Sequence, residues 1–168
     1  FVEDALGAAV VEDMIEMADV PSGAAYTVVG KYDWREMAAL VSALSQITGH
    51  EASELQTAFG RNLLGRLSKR YPAFFDSCST SFDLLENVNS QIHVEVRKLY
   101  PDAELPVIVA EPSENGSMRV VYTSCRPFGD LCVGMIQGAA DYFNEEIEVE
   151  TKPHQRGLTI WIQRCGRE

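Results

Sequence analysis

The chain has 168 residues, 46% of them apolar, and its 25 acidic and 14 basic residues give a formal net charge of −11. This length and apolar content fit one domain with a core of its own. The negative charge repels phosphate backbones, which excludes nucleic acid as a partner. The sequence has neither an apolar run of about 18 residues nor a signal-peptide pattern, so we expect a cytoplasmic protein with no membrane partner.

The four cysteines are too few and too scattered for the disulfide framework of a small secreted domain. The closest pair, Cys125 and Cys132, has neither the spacing of a CxxC redox motif nor that of the CxxCH motif for covalent haem attachment. We therefore expect reduced thiols. A cysteine-based redox sensor that acts through Cys125 and Cys132 stays open as an alternative function.

Helical periodicity runs through the first hundred residues. Apolar residues recur at steps of three and four in residues 1–18, 37–47 and 55–69, and Asp33 and Glu36 have the spacing of a capping box before the second of these segments. A further helix is predicted between Phe82 and Tyr100 because the same spacing continues up to Pro101. His93 lies within this helix, at the border of its apolar stripe.

The pattern changes after Pro106. Residues 107–110 and 118–123 predict a hairpin across a polar turn, residues 131–143 predict a helix, and two more strands are predicted around 147–149 and 158–162. The sequence thus predicts an α+β fold that forms a single domain over residues 1–168. We expect the helical N-terminal part to pack on a C-terminal part with an antiparallel sheet and a helix, and the cleft between them could hold a ligand.

No HExxH, Walker A or GxSxG pattern occurs, so we expect that the chain is not an enzyme. Of the three histidines, His93 is the one placed on a helix beside apolar residues. Such a histidine more often has a structural role, hydrogen bonded to backbone or carboxylate, than a ligand role. Taken alone, His93 therefore does not define a site.

Tyr122, Ser124 and Arg126 are alternate residues and would point to the same side if the predicted strand continued through them. A guanidinium forms paired hydrogen bonds with a carboxylate, and each hydroxyl can donate one more. This set of donors suits the propionates of a haem. A strand could also place three such residues together by chance.

Taken together, residues 92–96 (IHVEV), the following Tyr100-Pro101 and the Tyr-x-Ser-x-Arg motif at 122–126 resemble the H-NOX (haem nitric oxide/oxygen binding) family, which is related to the haem domain of soluble guanylate cyclase. The resemblance covers nearly the whole chain. H-NOX chains usually open with a short Met-Lys-Gly segment, whereas this sequence starts within its first predicted helix.

The resemblance implies a non-covalent haem b between the two parts of the domain. His93 would be the axial ligand of the iron, Tyr122, Ser124 and Arg126 would bind the propionates, and Pro106 would press on the porphyrin and distort it. The pocket walls implied by periodicity together with the resemblance are Phe59, Leu63, Leu67, Phe74, Leu85, Val88, Ile92, Leu131 and Met135.

Family members that bind oxygen stably carry a tyrosine at the position that matches Leu131. Leucine cannot donate a hydrogen bond to bound oxygen, whereas nitric oxide (NO) binds ferrous haem tightly without one. We therefore predict an NO sensor that excludes oxygen. The resemblance further implies that NO weakens or breaks the bond between the iron and His93 and so frees the surrounding helix to shift.

The output of such a sensor requires a separate effector, because no kinase, cyclase or DNA-binding signature occurs in the sequence. The resemblance implies a histidine kinase or a cyclic-nucleotide signalling enzyme as this partner. Some bacterial relatives also bind zinc near the C-terminus. Here the candidate ligands would be Cys132, His154 and Cys165, and without the required close spacing we expect no structural zinc. A haem-free protein-interaction module remains another alternative.

Overall fold

The computed structural model describes residues 1–27 and 30–165, so five residues of the predicted domain, 28–29 and 166–168, lie outside the described ranges. The structure has an α+β fold, as the sequence predicts. The α-helices are α1 (Val2–Leu6), α2 (Ala8–Ala18), α3 (Trp34–Thr48), α4 (Ala52–Arg70), α5 (Ala73–Asp76), α6 (Ser81–Asn87), α7 (His93–Leu99) and α8 (Gly129–Tyr142). No helix in the described ranges is both long and apolar enough to cross a bilayer.

The C-terminal part contains a four-stranded antiparallel sheet. Its strands are β1 (Val107–Pro112), β2 (Ser117–Thr123), β3 (Ile147–His154) and β4 (Gly157–Arg164), in the order β1-β2-β4-β3. The predicted hairpin of β1 and β2 is present, with Ile108 opposite Tyr122, and the chain turns through a 3₁₀ segment at Glu114–Gly116. Strand β1 is consequently an edge strand with one backbone side not paired to the sheet.

The main core lies between the sheet and helices α6 and α8. Alternate residues of β2 and β4 point toward α8, which follows from the period-two spacing of their apolar side chains. The buried residues of this cluster are Phe82, Leu85, Met118, Val120, Tyr122, Cys132, Val133, Ile136, Ile160 and Ile162. A second cluster joins α4, α5, α6 and α8, and a third joins α2 to α3.

Helices α4 and α8 approach each other closely through glycines. A Cβ atom added to Gly134 would lie 2.0 Å from the carbonyl oxygen of Thr57, and one added to Gly60 would lie 2.2 Å from that of Leu131. Both distances are far below van der Waals contact. Only residues without a Cβ allow the two backbones to come this near.

Two details of the predicted N-terminal helices are wrong. The helix predicted over residues 1–18 is two helices, α1 and α2, because Gly7 between them has φ of 89°. Asp33 does cap α3, accepting a hydrogen bond from the Arg35 N–H. Glu36 does not complete a capping box, since its buried carboxylate instead accepts hydrogen bonds from the hydroxyls of Ser22 and Tyr26.

The helix predicted between Phe82 and Tyr100 is helical throughout but is not a uniform α-helix. A π-helical segment, Val88–Ile92, separates α6 from α7. The His93 N–H donates to the carbonyl of Val88, five residues earlier, instead of to the residue four earlier. Such π-bulges are uncommon and occur frequently at functional sites.

Candidate functional site

His93 is the first residue of α7 and follows the π-helical segment directly. Its side chain is buried, with 8% of the residue exposed. Burial lowers the pKa of the imidazole below its ordinary value, and the positive charge of Arg97 lowers it further. Both effects disfavour the protonated ring, so the neutral imidazole predominates at pH 7.

One nitrogen of the His93 ring contacts a neighbouring side chain. Nδ1 lies 3.2 Å from Oδ1 of Asn89, which belongs to the π-helical segment. The same Oδ1 accepts a hydrogen bond of 3.3 Å from the backbone N–H of Ile108, and Nδ2 of Asn89 donates to the Ile108 carbonyl. Among the residues described, no hydrogen bond joins the protein to Nε2 of His93.

Tyr122, Ser124 and Arg126 are brought together, as the sequence predicts. Tyr122 is buried near the end of β2 and lines the same groove as Ser124 and Arg126. Burial is the main cause that raises the pKa of the phenol above its ordinary value. The hydroxyl therefore stays protonated and can act as a donor at neutral pH.

The predicted reason for this grouping is wrong, because β2 ends at Thr123 and does not continue to Arg126. Ser124 instead forms a turn in which its Oγ accepts a hydrogen bond of 3.0 Å from the Arg126 N–H. Hydroxyl side chains often stabilise turns in this way, and Pro127 cannot donate to a continuing ladder. A turn therefore places Arg126 near the two hydroxyls.

The guanidinium of Arg126 has one N–H group whose hydrogen bond is unsatisfied among the described residues. Its Nη2 donates to the Glu104 carboxylate at 2.9 Å, whereas its Nε is buried and has no hydrogen-bond partner among the described residues. A buried donor without a partner is costly and is rare in native proteins. The group lies at a groove of about 510 Å³ whose lining includes Trp34, Tyr122, Ser124, Arg126, Arg156 and Leu158.

The predicted apolar wall residues lie on four helical elements, α4, α5, α6 and α8, and on the π-helical segment. Leu85 belongs to the main core cluster with Tyr122, whereas Phe74, Ile92 and Met135 pack against the second cluster. Phe59, Leu63, Leu67, Val88 and Leu131 are half-buried, and the Phe59 ring lies 5.8 Å from that of Phe1. Pro106 is also half-buried and immediately precedes β1.

Sequence reasoning missed Asn89. A polar residue four positions before a histidine on a helix is commonplace, and its second partner, Ile108, is 19 residues away in the chain. The sequence contained no signal for this contact. Among the described residues, no group of three or more histidine, cysteine, aspartate or glutamate side chains is arranged to hold a metal ion.

The four cysteines are free thiols. Cys125 is exposed, whereas Cys132 is buried in the main core, and burial raises the pKa of its thiol to about 12. The thiolate is the reactive form, and this shift lowers its fraction roughly a thousandfold below that of an ordinary cysteine. A redox sensor that needs both thiols is therefore disfavoured.

Labelling with iodoacetamide at pH 7 tests this conclusion. We expect mass spectrometry to find Cys125 modified in the folded protein and Cys132 modified only after denaturation. Labelling of Cys132 as fast as that of Cys125 under native conditions would contradict the buried, protonated state.

Comparison with known proteins places the chain among proteins of one family. The sequence profile described as "Haem-NO-binding" matches residues 1–151. The chain belongs to this family. Curated protein sequences give no significant match.

Solved H-NOX structures share the fold over nearly the full chain. The solution structure of the IWP-051-bound H-NOX from Shewanella woodyi, in the Fe(II)CO ligation state, has 35% sequence identity and a TM-score of 0.81, covering 99% of this chain and 90% of that one. The Fe(II) unliganded H-NOX from K. algicida has 27% identity and a TM-score of 0.92, covering 99% and 91%. The domain described above is thus an H-NOX domain.

Proposed function

We propose that this H-NOX domain is a haem-based gas sensor that binds NO at a ferrous, non-covalently held haem b, excludes oxygen, and regulates a separate signalling protein in the cytoplasm. The domain itself performs no catalysis. The observation that carries the proposal is His93, a buried neutral imidazole whose Nδ1 is hydrogen bonded while Nε2 has no protein partner among the described residues. A neutral imidazole with a free lone pair is what an axial haem ligand requires.

The donors around Arg126 fit the other end of a haem. Its buried Nε has no partner among the described residues, and Arg126 lines the same groove as Tyr122 and Ser124. Propionate carboxylates would satisfy the orphaned donor and replace or share the ion pair with Glu104. We assign the propionate-binding role to Tyr122, Ser124 and Arg126.

The remaining predicted residues would enclose the macrocycle. Bound haem supplies an iron atom with an open coordination position for NO. Pro106 would press on the porphyrin beside β1, and Leu67, Phe74, Leu85, Leu131 and Met135 would exclude water from it. His93 starts α7, so a shift of its imidazole would move that helix and report the occupancy of the site.

Absorption spectroscopy of protein purified after haem supply tests the proposal. We expect a Soret band in the wild-type chain that is lost or markedly altered in His93→Ala. His154→Ala is the matched control because His154 is exposed on β3, and its spectrum should equal that of the wild type. A wild-type chain that shows no Soret band would refute haem binding.

The side chain at position 131 is expected to decide gas selectivity. Leu131 cannot donate a hydrogen bond to bound oxygen. Until its iron oxidises, the ferrous wild-type protein should therefore give the same absorption spectrum in air as under argon. Leu131→Tyr adds a hydroxyl donor, and its spectrum should change in air and revert under argon. Leu131→Phe controls for size and should behave like the wild type. A reversible change in the wild-type protein would contradict the predicted exclusion of oxygen.

The output requires a partner protein. NO is the proposed ligand, and the proposed partner is a histidine kinase or a cyclic-nucleotide signalling enzyme. A pull-down from cells of the source organism, performed with and without NO, would identify it. Recovery of such an enzyme in only one of the two conditions would support regulation by the gas.

A further inference from the structure

The side chain of Asn89 connects His93 to Ile108, a residue of β1 that is distant in sequence. Through Oδ1 and Nδ2 it pairs with both backbone groups of Ile108, the N–H and the carbonyl. Ile108 lies on the edge strand β1, and its backbone groups point away from β2 toward Asn89. The carboxamide therefore makes the two hydrogen bonds with Ile108 that a neighbouring strand would otherwise make.

This pairing fixes the orientation of the Asn89 amide. A backbone N–H can only donate and a carbonyl can only accept, so Oδ1 must face the Ile108 N–H and Nδ2 must face its carbonyl. Rotating the amide by half a turn would place donor against donor and acceptor against acceptor. The atom that faces His93 is consequently an acceptor, Oδ1, at 3.2 Å.

An acceptor at this position fixes the protonation of the histidine ring. Nδ1 must carry the hydrogen in order to donate to Oδ1, and in a neutral imidazole the lone pair then lies on Nε2. A hydrogen bond from the far nitrogen of a metal-bound imidazole fixes its tautomer and ring orientation and makes it a stronger ligand. The π-helical segment helps by adding one residue to the turn between Asn89 and His93.

We propose that Asn89 is a positioning residue that fixes the tautomer of His93, strengthens its bond to haem iron, and ties the imidazole to β1 two residues beyond Pro106. The bond-strengthening part rests on the proposed haem function. The connection to β1 does not, because it involves the protein alone. A displacement of His93 is thereby transmitted to the edge of the sheet as well as to α7.

Three variants of the full chain test the role of Asn89. Asn89→Ala removes the acceptor for the His93 ring and for the Ile108 N–H, and the donor to the Ile108 carbonyl. Asn89→Asp keeps an acceptor for His93, now charged, and removes the donor to the Ile108 carbonyl. Gln91→Ala is the matched control, since Gln91 lies in the same π-helical segment, is exposed, and bonds only to Asn87 among the residues described.

The first measurement is hydrogen exchange of the Ile108 amide by NMR, which needs no haem. We expect exchange at least about tenfold faster in Asn89→Ala, because an edge-strand N–H without a partner opens to water. Gln91→Ala should leave it at the wild-type rate. Unchanged exchange in Asn89→Ala would overturn the connection to β1.

The second measurement is the iron–histidine stretching band of the ferrous protein by resonance Raman spectroscopy. The band should move to lower frequency in Asn89→Ala and to higher frequency in Asn89→Asp, because a carboxylate makes the imidazole a stronger ligand than an amide does. Loss of packing alone would not shift the two variants in opposite directions. Shifts of one sign, or no shift, would overturn the positioning role, while absence of the band from wild-type protein would count against haem binding instead.

Discussion

Gly134→Ala is expected to lower the free energy of unfolding by about 3 kcal/mol, the upper part of the range for overpacked cores. The added Cβ would lie 2.0 Å from the Thr57 carbonyl oxygen, and a backbone atom cannot rotate away as a side chain can. Helices α4 and α8 would have to separate. Thermal unfolding followed by circular dichroism should show a melting temperature lower by roughly 6–12 °C.

Gly65→Ala is the matched control for that experiment. Gly65 lies within α4, the helix that Gly134 contacts, but a Cβ there would have no neighbouring atom within 4 Å among the described residues. Because alanine favours helix over glycine, this variant should be unchanged or more stable by up to about 1 kcal/mol. Equal effects of the two substitutions would show that the crossing is not as close as described.

The helix crossing also bears on the proposed site. Helix α4 carries Phe59, Leu63 and Leu67, and α8 carries Leu131 and Met135. These residues form much of the proposed haem wall, so the separation of the two helices sets the width of that wall. The stability test on Gly134 is thus also a test of what holds the pocket residues in place.

The elements that were predicted well are those with a regular apolar pattern in the sequence. Strand β1 was predicted from the continuous apolar run at residues 107–110. In β2 and α8, buried residues recur at the spacing of a strand and of a helix, because each element packs one face into the main core. Burial imposes this spacing, and the spacing is visible in the sequence. The breaks were harder to predict. A single residue, Gly7, divides the first helix without disturbing the apolar pattern on either side.

In the site, too, the spacing of residues in the sequence predicts some features and not others. Tyr122, Ser124 and Arg126 were predicted to lie together, although a turn rather than a strand brings them together. The π-helical segment and Asn89 could not be predicted, because one shifted backbone hydrogen bond leaves the apolar spacing almost unchanged. Long-range polar contacts such as that between Asn89 and Ile108 depend on tertiary packing.

Arg126→Leu is expected to weaken haem binding about 30-fold, which corresponds to about 2 kcal/mol, the lower end for truncating one partner of a hydrogen-bonded charge pair. The lower end applies because the Arg126 side chain is 32% exposed and water screens part of the interaction. The leucine side chain replaces the aliphatic part of the arginine with a similar apolar volume. Transfer of haem to an excess of apomyoglobin, followed at the Soret band, measures the loss as a faster dissociation rate.

The same substitution should hardly change the stability of the haem-free fold. Its partner Glu104 has a side chain that is 72% exposed, so water solvates the carboxylate after the arginine is removed. Arg119→Leu is the matched control, because Arg119 lies on β2 and its ion pair with Glu111 is also at the surface. We expect Arg119→Leu to retain haem like the wild type. If both arginine variants lost haem equally, or if Arg126→Leu kept the wild-type rate, the orphaned donor at Arg126 would not be serving a propionate. A selective loss at Arg126 would instead show that the turn at Ser124 places the guanidinium where a carboxylate completes its hydrogen bonds.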